Sequence, residues 1–164
     1  EGRSLLRELR GLSRGALAEM RTLLFELRPS ALADAELGYL LHQLAESITG
    51  RTRIPVEVIV KGQCDVSADI KVAFYRITQE ALNNAAKHSG AGTVTISLIC
   101  DSGSIELTIS DNGRGFDVSS VHPESLGLGI MRDRAEGVNA EFTVESAIGS
   151  GTKVIVRLND IIGR

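Results

Sequence analysis

Apolar residues recur at two spacings along the chain, one typical of helices and one typical of strands. In residues 1–28 they recur every three or four positions, which predicts one long helix with a single apolar stripe. Pro29 ends this helix, because proline cannot continue its hydrogen bonding. The narrow, nearly heptad-like stripe favours a helical bundle, and packing on the chain's own domain is the alternative. Its members are Leu5, Leu9, Leu12, Ala16, Met20, Leu23 and Leu27.

The rest of the chain mixes both patterns. Helical spacing predicts helices over residues 36–49, 67–88 and 129–137. Alternation predicts strands around residues 56–60, 94–100, 105–109, 142–144 and 154–158. Residues 112–125 are rich in glycine and serine, have no period and are predicted to form a long loop. One-sided alternation in the strands predicts an α+β fold: a two-layer α/β sandwich, in which helices cover one face of a mixed sheet.

Composition narrows the function classes. The 164 residues suit one compact domain with room for an extra element. Lys plus Arg (18) against Asp plus Glu (21) gives 18 − 21 = −3, which argues against binding nucleic acid by bulk charge. No apolar run reaches the roughly 18 residues that span a bilayer, and no signal peptide is visible, so we expect no membrane contact by this chain. Because it begins with Glu1, we expect an excised fragment of a longer parent.

The two cysteines, Cys64 and Cys100, are far apart and lack CxxC spacing. This spacing disfavours a disulfide framework or a zinc site and favours a reduced, cytoplasmic setting. Cys100 lies in an alternating apolar run, so we expect a small core residue there.

The helix over residues 67–88 carries a polar residue on its apolar face. At about 100° per residue, Asn84 falls in the middle of that face and Glu80 at its edge. A buried amide without a partner costs about 1–3 kcal/mol, so something must satisfy Asn84. A hydrogen bond to a neighbouring strand would do so. Alternatively the face lines a ligand cavity, where Asn84 gives a carbonyl oxygen to Mg²⁺ and Lys87 meets the ligand's negative charge.

Asp111-Asn-Gly-Arg-Gly115 directly follows a predicted strand. A simple turn would explain this composition. The two glycines also let the backbone approach a ligand closely. A carboxylate at a strand end can accept the exocyclic amine of adenine and would repel the carbonyl oxygen that guanine offers there.

Two further glycine pairs follow. Gly127-Leu-Gly129 precedes a predicted helix, where free N–H groups at the positive end of the dipole make a phosphate site. A flexible hinge is an equally good interpretation. Gly149-Ser-Gly-Thr152 lies between two predicted strands and would ordinarily be a hairpin turn.

Taken in order, these motifs resemble those of the GHKL ATPases, which include sensor histidine kinases, certain topoisomerases, heat-shock chaperones and mismatch-repair ATPases. The matching set is Glu80-x-x-x-Asn84, Asp111-x-Gly113-x-Gly115, Gly127-x-Gly129 and Gly149-x-Gly151-Thr152. Residues 77–91 and 127–134 resemble the histidine kinase subgroup of nitrate and lipid-fluidity sensors. Residues 18–29 resemble the second dimerisation helix of that subgroup. No P-loop or protein-kinase signature is present.

The resemblance implies a role for each residue. Asn84 binds Mg²⁺, and Glu80 acts as base toward the incoming imidazole. Asp111 binds the adenine of ATP, and Thr152 supports it through water. The remaining implied contacts to the nucleotide come from Lys87 and His88 near the phosphates, Gly113 and Gly115 at the base, and Gly127 and Gly129 at the phosphate end. Residues 112–125 form a short lid. The implied domains are residues 1–30, an incomplete dimerisation region, and residues 31–160, the catalytic ATP-binding domain.

The resemblance also implies what surrounds this piece of the protein. The phosphoacceptor histidine lies on a helix upstream of Glu1, since His42, His88 and His122 do not match an acceptor context. This chain alone is therefore expected to lack autophosphorylation. The parent is a homodimer that passes its phosphoryl group to a response regulator with helix-turn-helix output, and whether it is membrane-anchored stays open. The rival interpretations are another GHKL ATPase, an anti-sigma-type serine kinase, and an interaction module without ATP binding.

Overall fold

The computed structural model describes residues 34–120 and 126–159, together with residue 32 and residues 5–6, 9–14, 16–17, 20 and 23. The described positions between 5 and 23 are helical. Their apolar side chains are exposed, among them Leu9, Leu12 and Met20. The described part of the predicted helix is therefore helical. The apolar side chains of its stripe are not buried by any of the described residues. Residues 24–31, which include the predicted helix end at Pro29, lie outside the described residues.

The sheet is mixed. Its strands are β1 (Val56–Lys61), β2 (Val94–Asp101), β3 (Ser104–Asp111), β4 (Glu141–Ser146) and β5 (Thr152–Asn159). Their order across the sheet is β1-β2-β3-β5-β4. Strand β1 pairs with β2 in parallel, and all other pairs are antiparallel. The predicted strands and the mixed five-stranded sheet are confirmed.

Helices cover one face of this sheet. They are α1 (Leu37–Thr52), α2 (Ala68–Asn84) and α3 (Leu126–Glu136). The alternation in β2 and β3 determines which face is covered, because Ile96, Leu98 and Leu107 are buried while Ser97 and Thr108 on the other face are only half-buried. Register aligns Leu98 with Leu107 across the β2–β3 pair. The predicted two-layer α+β fold is confirmed.

Helix α2 ends differently from its sequence prediction. Its α-helical part stops at Asn84, and the next turn, Ala85–Ser89, is a π-helix. The Ser89 hydroxyl donates to the Ala85 carbonyl oxygen at 2.6 Å, and Gly90 ends the turn with a φ of 63°. Single π turns within helices are often found at functional sites.

Helix α3 begins three residues earlier than predicted. Its first residue is Leu126, so Gly127 and Gly129 lie within the first turn and not before it. The first N–H groups of a helix have no partner within it, so these glycines remain at the positive end of the helix dipole.

The prediction of unpaired cysteines is wrong. A disulfide joins Cys64 to Cys100, with their Cα atoms 5.5 Å apart. The parallel register explains this, because Lys61 at the end of β1 lies opposite Ile99, next to Cys100. Gly62 then adopts a φ of 83°, and a side chain there would collide with the Cys100 carbonyl oxygen. Sequence separation alone does not reveal this approach. Cys100 is nevertheless buried in the core, as predicted.

Candidate functional site

A pocket of about 340 Å³ lies where α2, the π turn, the start of α3 and the ends of β3 and β5 meet. This volume is within the range of small-molecule sites. Most of its walls are apolar, with Met131 and Val154 fully or nearly buried. Its polar and charged lining residues are Asn84, His88, Ser89, Asp111, Arg114 and Thr152. The structure thus brings residues from all four of the sequence motifs into one cavity.

At one end of the pocket, the two oxygens of Asp111 have different roles. Its Oδ1 accepts the backbone N–H of Gly113 at 2.8 Å. Its Oδ2 accepts no hydrogen bond from the described residues. This half-buried carboxylate is therefore fixed through one oxygen and presents the other for a ligand that donates.

The backbone after Asp111 is held on both sides. The Arg114 N–H donates to the Ser89 carbonyl oxygen at 2.8 Å, and its own carbonyl oxygen accepts the Gly149 N–H at 2.6 Å. A side chain at Gly113 would collide with Ser89, and one at Gly115 would collide with the Ala147 carbonyl oxygen. Both glycines of the motif are therefore required by close backbone approach.

Ser146, at the end of β4, connects this loop to β5. Its hydroxyl accepts the Phe116 N–H at 3.0 Å and donates to the Gly151 carbonyl oxygen at 2.8 Å. It also lies 3.1 Å from the Thr152 hydroxyl. Phe116 and Thr152 both line the pocket, whereas Ser146 and Gly151 do not line it and contact these residues from outside the lining.

At the opposite end, Asn84 lines the pocket, and Glu80, which does not line it, lies beside Asn84 next to Gly127. A methyl group at Gly127 would lie 2.7 Å from Glu80 Oε1 and 3.1 Å from Asn84 Nδ2. Both side chains are half-buried and neither hydrogen-bonds another described residue. Gly127 thus leaves room for an amide and a carboxylate at the start of α3.

The structure separates the other predicted residues. His88 lines the pocket with an exposed side chain, whereas Lys87 is exposed and does not line it. Gly129 is half-buried in the first turn of α3 and does not line it either. Residues 121–125 of the predicted lid, including His122, lie outside the described residues.

Several lining residues were not predicted. Phe116 directly follows Gly115, and Met131 lies one turn beyond Gly127, so position next to a motif was their only signal. Ser89 and Arg114 were inside the quoted motifs without an assigned role. Ser146 had no sequence signal, because its importance depends on contacts with residues distant along the chain.

Asp117, in the predicted lid, accepts its hydrogen bonds from residues close to it in sequence. Asp117 accepts the side-chain hydroxyl and then the backbone N–H of Ser119, and these bonds lower the pKa of this exposed carboxyl group. They also fix the short 3₁₀ turn Val118–Ser120 beside the pocket loop.

The side chains around the pocket bear on metal binding. The described residues contain no cluster of three or more His, Cys, Asp or Glu side chains suited to a metal. Glu80 and Asn84 offer oxygen ligands side by side, as the approach of both to Gly127 shows. One or two protein oxygens completed by substrate phosphates is the arrangement typical of Mg²⁺. The residues present therefore fit this ion.

The sequence is similar to one protein family and to two sensor proteins. Residues 69–161 match the family of histidine kinase-, DNA gyrase B- and HSP90-like ATPases. The chain is 39% identical over 152 residues to the sensor histidine kinase YhcY of Bacillus subtilis, covering 92% of this chain and 38% of that protein. It is 37% identical over 140 residues to the sensor protein VraS of Staphylococcus epidermidis, covering 85% and 40% respectively. The chain thus spans about two-fifths of the length of these relatives.

Solved structures show the same fold. The histidine kinase domain of a blue-light-activated histidine kinase from Erythrobacter litoralis aligns with a TM-score of 0.64 and 26% identity, covering 91% of this chain and 74% of that one. The ATP-binding domain of PrrB from Mycobacterium tuberculosis aligns with a TM-score of 0.63 and 23% identity, covering 77% and 95%. Among the described residues of this chain, no helix has the length and apolar character needed to cross a membrane.

Proposed function

Because this chain belongs to the family of histidine kinase-, DNA gyrase B- and HSP90-like ATPases, we propose that it is the ATP-binding catalytic domain of a two-component sensor histidine kinase. One observation carries the proposal. A single pocket has an unshared carboxylate oxygen of Asp111 at one end and the side chain of Asn84 at the other, with Glu80 beside Asn84 next to Gly127. The sensor kinases among the relatives support the choice within the family.

The base of ATP binds at the Asp111 end. Its flat, apolar faces contact Ile109, Met131 and Val154, and its exocyclic amine donates to Asp111 Oδ2. Gly113 keeps that carboxylate oriented through Oδ1, so little side-chain freedom remains to be lost on binding. The Thr152 hydroxyl adds polar support at the same end.

The phosphates lie at the opposite end, toward the first turn of α3. Asn84 holds Mg²⁺ through its amide oxygen, and the ion neutralises phosphate charge when it is bound. The backbone N–H groups around Gly127 and Gly129 and the side chain of His88 contact the phosphates. Lys87, although outside the pocket lining, is on the same π turn and approaches the charge from outside.

Transfer of the γ-phosphoryl group goes to a histidine on a helix upstream of Glu1. Glu80 accepts the imidazole proton as the nitrogen–phosphorus bond forms, and ADP leaves with the oxygen of the broken bond. His88 belongs to the nucleotide pocket, and His42 is exposed on α1, where it lines a separate cavity. These positions support an acceptor other than these two histidines.

The proposed context follows from this assignment. Residues 1–30 are the second helix of a dimerisation region and residues 31–160 are the catalytic domain. The exposed leucines of the leading helix pack against helices of a homodimeric bundle. The phosphoryl group then passes to a response regulator with helix-turn-helix output. We place this transfer in the cytoplasm because ATP is available there, since the Cys64–Cys100 disulfide removes the argument from unpaired cysteines.

The proposal is tested with the chain itself and with its full-length parent. The chain should bind ATP with an affinity that Mg²⁺ increases, and should bind GTP clearly more weakly. Incubation with γ-labelled ATP and Mg²⁺ should leave it unlabelled, whereas the parent should acquire an acid-labile label typical of a phosphoramidate. Absence of ATP binding, equal affinity for GTP, or stoichiometric label on a histidine of this chain would each contradict the assignment.

A further inference from the structure

Ser146 lies behind the pocket wall, and its hydroxyl touches three neighbours at once. We propose that Ser146 is a positioning residue that fixes the direction of the Thr152 hydroxyl proton, so that Thr152 can only accept hydrogen bonds from a ligand. The inference rests on the proposed nucleotide-binding function and adds a determinant of base selectivity to it.

The argument follows from the hydrogen-bonding capacity of a serine hydroxyl, which has one proton and two acceptor lone pairs. The Gly151 carbonyl oxygen, 2.8 Å away, cannot donate, so the single Ser146 proton must point to it. The Phe116 N–H, at 3.0 Å, can only donate and occupies one lone pair. Ser146 therefore has only one acceptor position left and no proton to give.

The Thr152 hydroxyl oxygen lies 3.1 Å from Ser146 Oγ and can occupy that remaining acceptor position. If Ser146 donated to Thr152 instead, its oxygen would lie 2.8 Å from the Gly151 carbonyl oxygen with no proton between them, which is repulsive. Thr152 must therefore donate to Ser146. Its own lone pairs then remain for the pocket that it lines.

At the base end of the pocket, two side-chain oxygens consequently act only as acceptors. Asp111 Oδ2 is a carboxylate oxygen, which only accepts, and the proton of Thr152 Oγ1 is used by Ser146. A purine with a 6-amino group matches this arrangement, because the amine donates. A 6-oxo purine places an acceptor against acceptors and leaves them unpaired.

Ser146 also supports the wall through Phe116, and this contribution must be separated from the first. Loss of the Phe116 contact should weaken binding of every purine, because the apolar Phe116 side chain has no group that distinguishes a 6-amino from a 6-oxo substituent. Loss of proton direction at Thr152 changes the ratio of affinities for 6-amino and 6-oxo purines. The ATP-to-ITP affinity ratio is therefore the informative quantity, since these nucleotides differ at the base alone.

The experiment measures ATP and ITP binding by calorimetry for the wild-type chain, four single variants and one double variant. Ser146→Ala should lower the ATP-to-ITP ratio roughly two- to tenfold, the value of one hydrogen bond, because the freed Thr152 proton can turn to the 6-oxo group. Ser146→Thr keeps the hydroxyl and should retain the wild-type ratio. Ser150→Ala removes a hydroxyl of the same turn. This hydroxyl forms no hydrogen bond with a described residue, so the ratio should stay unchanged.

Thr152→Val provides the second test, and it remains decisive if Ser146→Ala does not fold. It should lower the ratio by itself, and adding Ser146→Ala to it should lower the ratio no further, because Ser146 acts through Thr152. An unchanged ratio in either single variant, or additive effects in the pair, would overturn the inference while leaving ATP binding established. Failure of the wild-type chain to bind ATP would instead overturn the proposed function.

Discussion

The two ends of the pocket differ in how their polar groups are used. At the base end, Asp111 is hydrogen-bonded to Gly113 in its own loop, and Ser146 is hydrogen-bonded to Gly151 and Thr152, at distances of 2.8–3.1 Å. At the phosphate end, Glu80 and Asn84 form no hydrogen bond with other described residues. Gly127 keeps the space beside them empty.

This difference matches the two tasks proposed for the pocket, which are selection of the base and transfer of the phosphoryl group. Selecting a base requires donors and acceptors that are fixed before the ligand arrives, because a mobile hydroxyl adapts to either partner. Transfer of a phosphoryl group requires groups that respond to charge during the reaction, so their hydrogen-bonding capacity must still be free. We therefore expect substitutions at the base end to change selectivity, and substitutions at the phosphate end to change rate and Mg²⁺ dependence.

The largest expected effect is at Glu80. Glu80→Gln keeps the shape and removes the base, so phosphoryl transfer in the full-length parent should fall roughly 10²- to 10⁴-fold. ATP affinity should change little, because a base assists the transition state more than the ground state. Single-turnover transfer and equilibrium binding separate the two quantities, and Glu57→Gln on the exposed face of β1 is the matched control. Equal losses in both quantities would remove the contrast between the two ends.

At the base end, Asp111→Asn replaces the free carboxylate oxygen and can keep the bond to the Gly113 N–H. An amide at that position faces the base amine with a donor. ATP affinity should fall by about 1.5–3 kcal/mol, or roughly 10- to 150-fold, and the preference over GTP should disappear. A titration with both nucleotides checks this, and retained preference would show that Asp111 does not read the base.

The glycines sharpen the same contrast. Gly151 has a φ of 73°, and a side chain there would collide with the Asp111 carbonyl oxygen, so Gly151→Ala should cost at least about 1–2 kcal/mol of folding stability. Gly127→Ala meets only the flexible ends of Glu80 and Asn84, so it should disturb Mg²⁺-dependent ATP binding more than stability. Thermal unfolding and ATP titration of both variants test this. Equal unfolding temperatures would contradict the description of the base end as rigid.

The smallest effect is expected at Asn84. Asn84→Ala should weaken the Mg²⁺-dependent part of ATP binding roughly tenfold, which corresponds to about 1.4 kcal/mol, with the fold intact. The neighbouring Asn83 accepts a hydrogen bond from Arg51 at 3.0 Å and does not line the pocket, so Asn83→Ala is the matched control. Unfolding of the Asn84 variant, or unchanged Mg²⁺ dependence, would favour a purely structural role.

Local pattern was sufficient to predict most of the fold. Alternation over residues 94–100 and 105–109 predicted β2 and β3, because burial on one face leaves that signature in any short window. The motifs around Asn84, Asp111 and Thr152 were also found, since each is short and continuous. Their roles toward a nucleotide remain predictions that rest on the resemblance.

What sequence reasoning missed depends on contacts between distant segments. The Cys64–Cys100 bond requires the parallel register of β1 and β2, which no local window contains. The π turn and the exposed position of Lys87 depend on how the chain leaves α2. Ser146 is an ordinary serine at a strand end until β4 and β5 bring it between Phe116 and Thr152.

The pairing of β3 with β5 also has a consequence for how the chain folds. Asp111 lies opposite Thr152 in that pair, so the base end is complete only after a strand from the end of the chain has joined the centre of the sheet. Such long-range pairing is slow to form, because loop closure costs entropy before contacts repay it. We therefore expect a nascent chain to form the helix that carries Glu80 and Asn84 before it can hold a base. Under the proposed function, nucleotide binding would report completed folding, and bound ATP would stabilise the finished sheet as a whole.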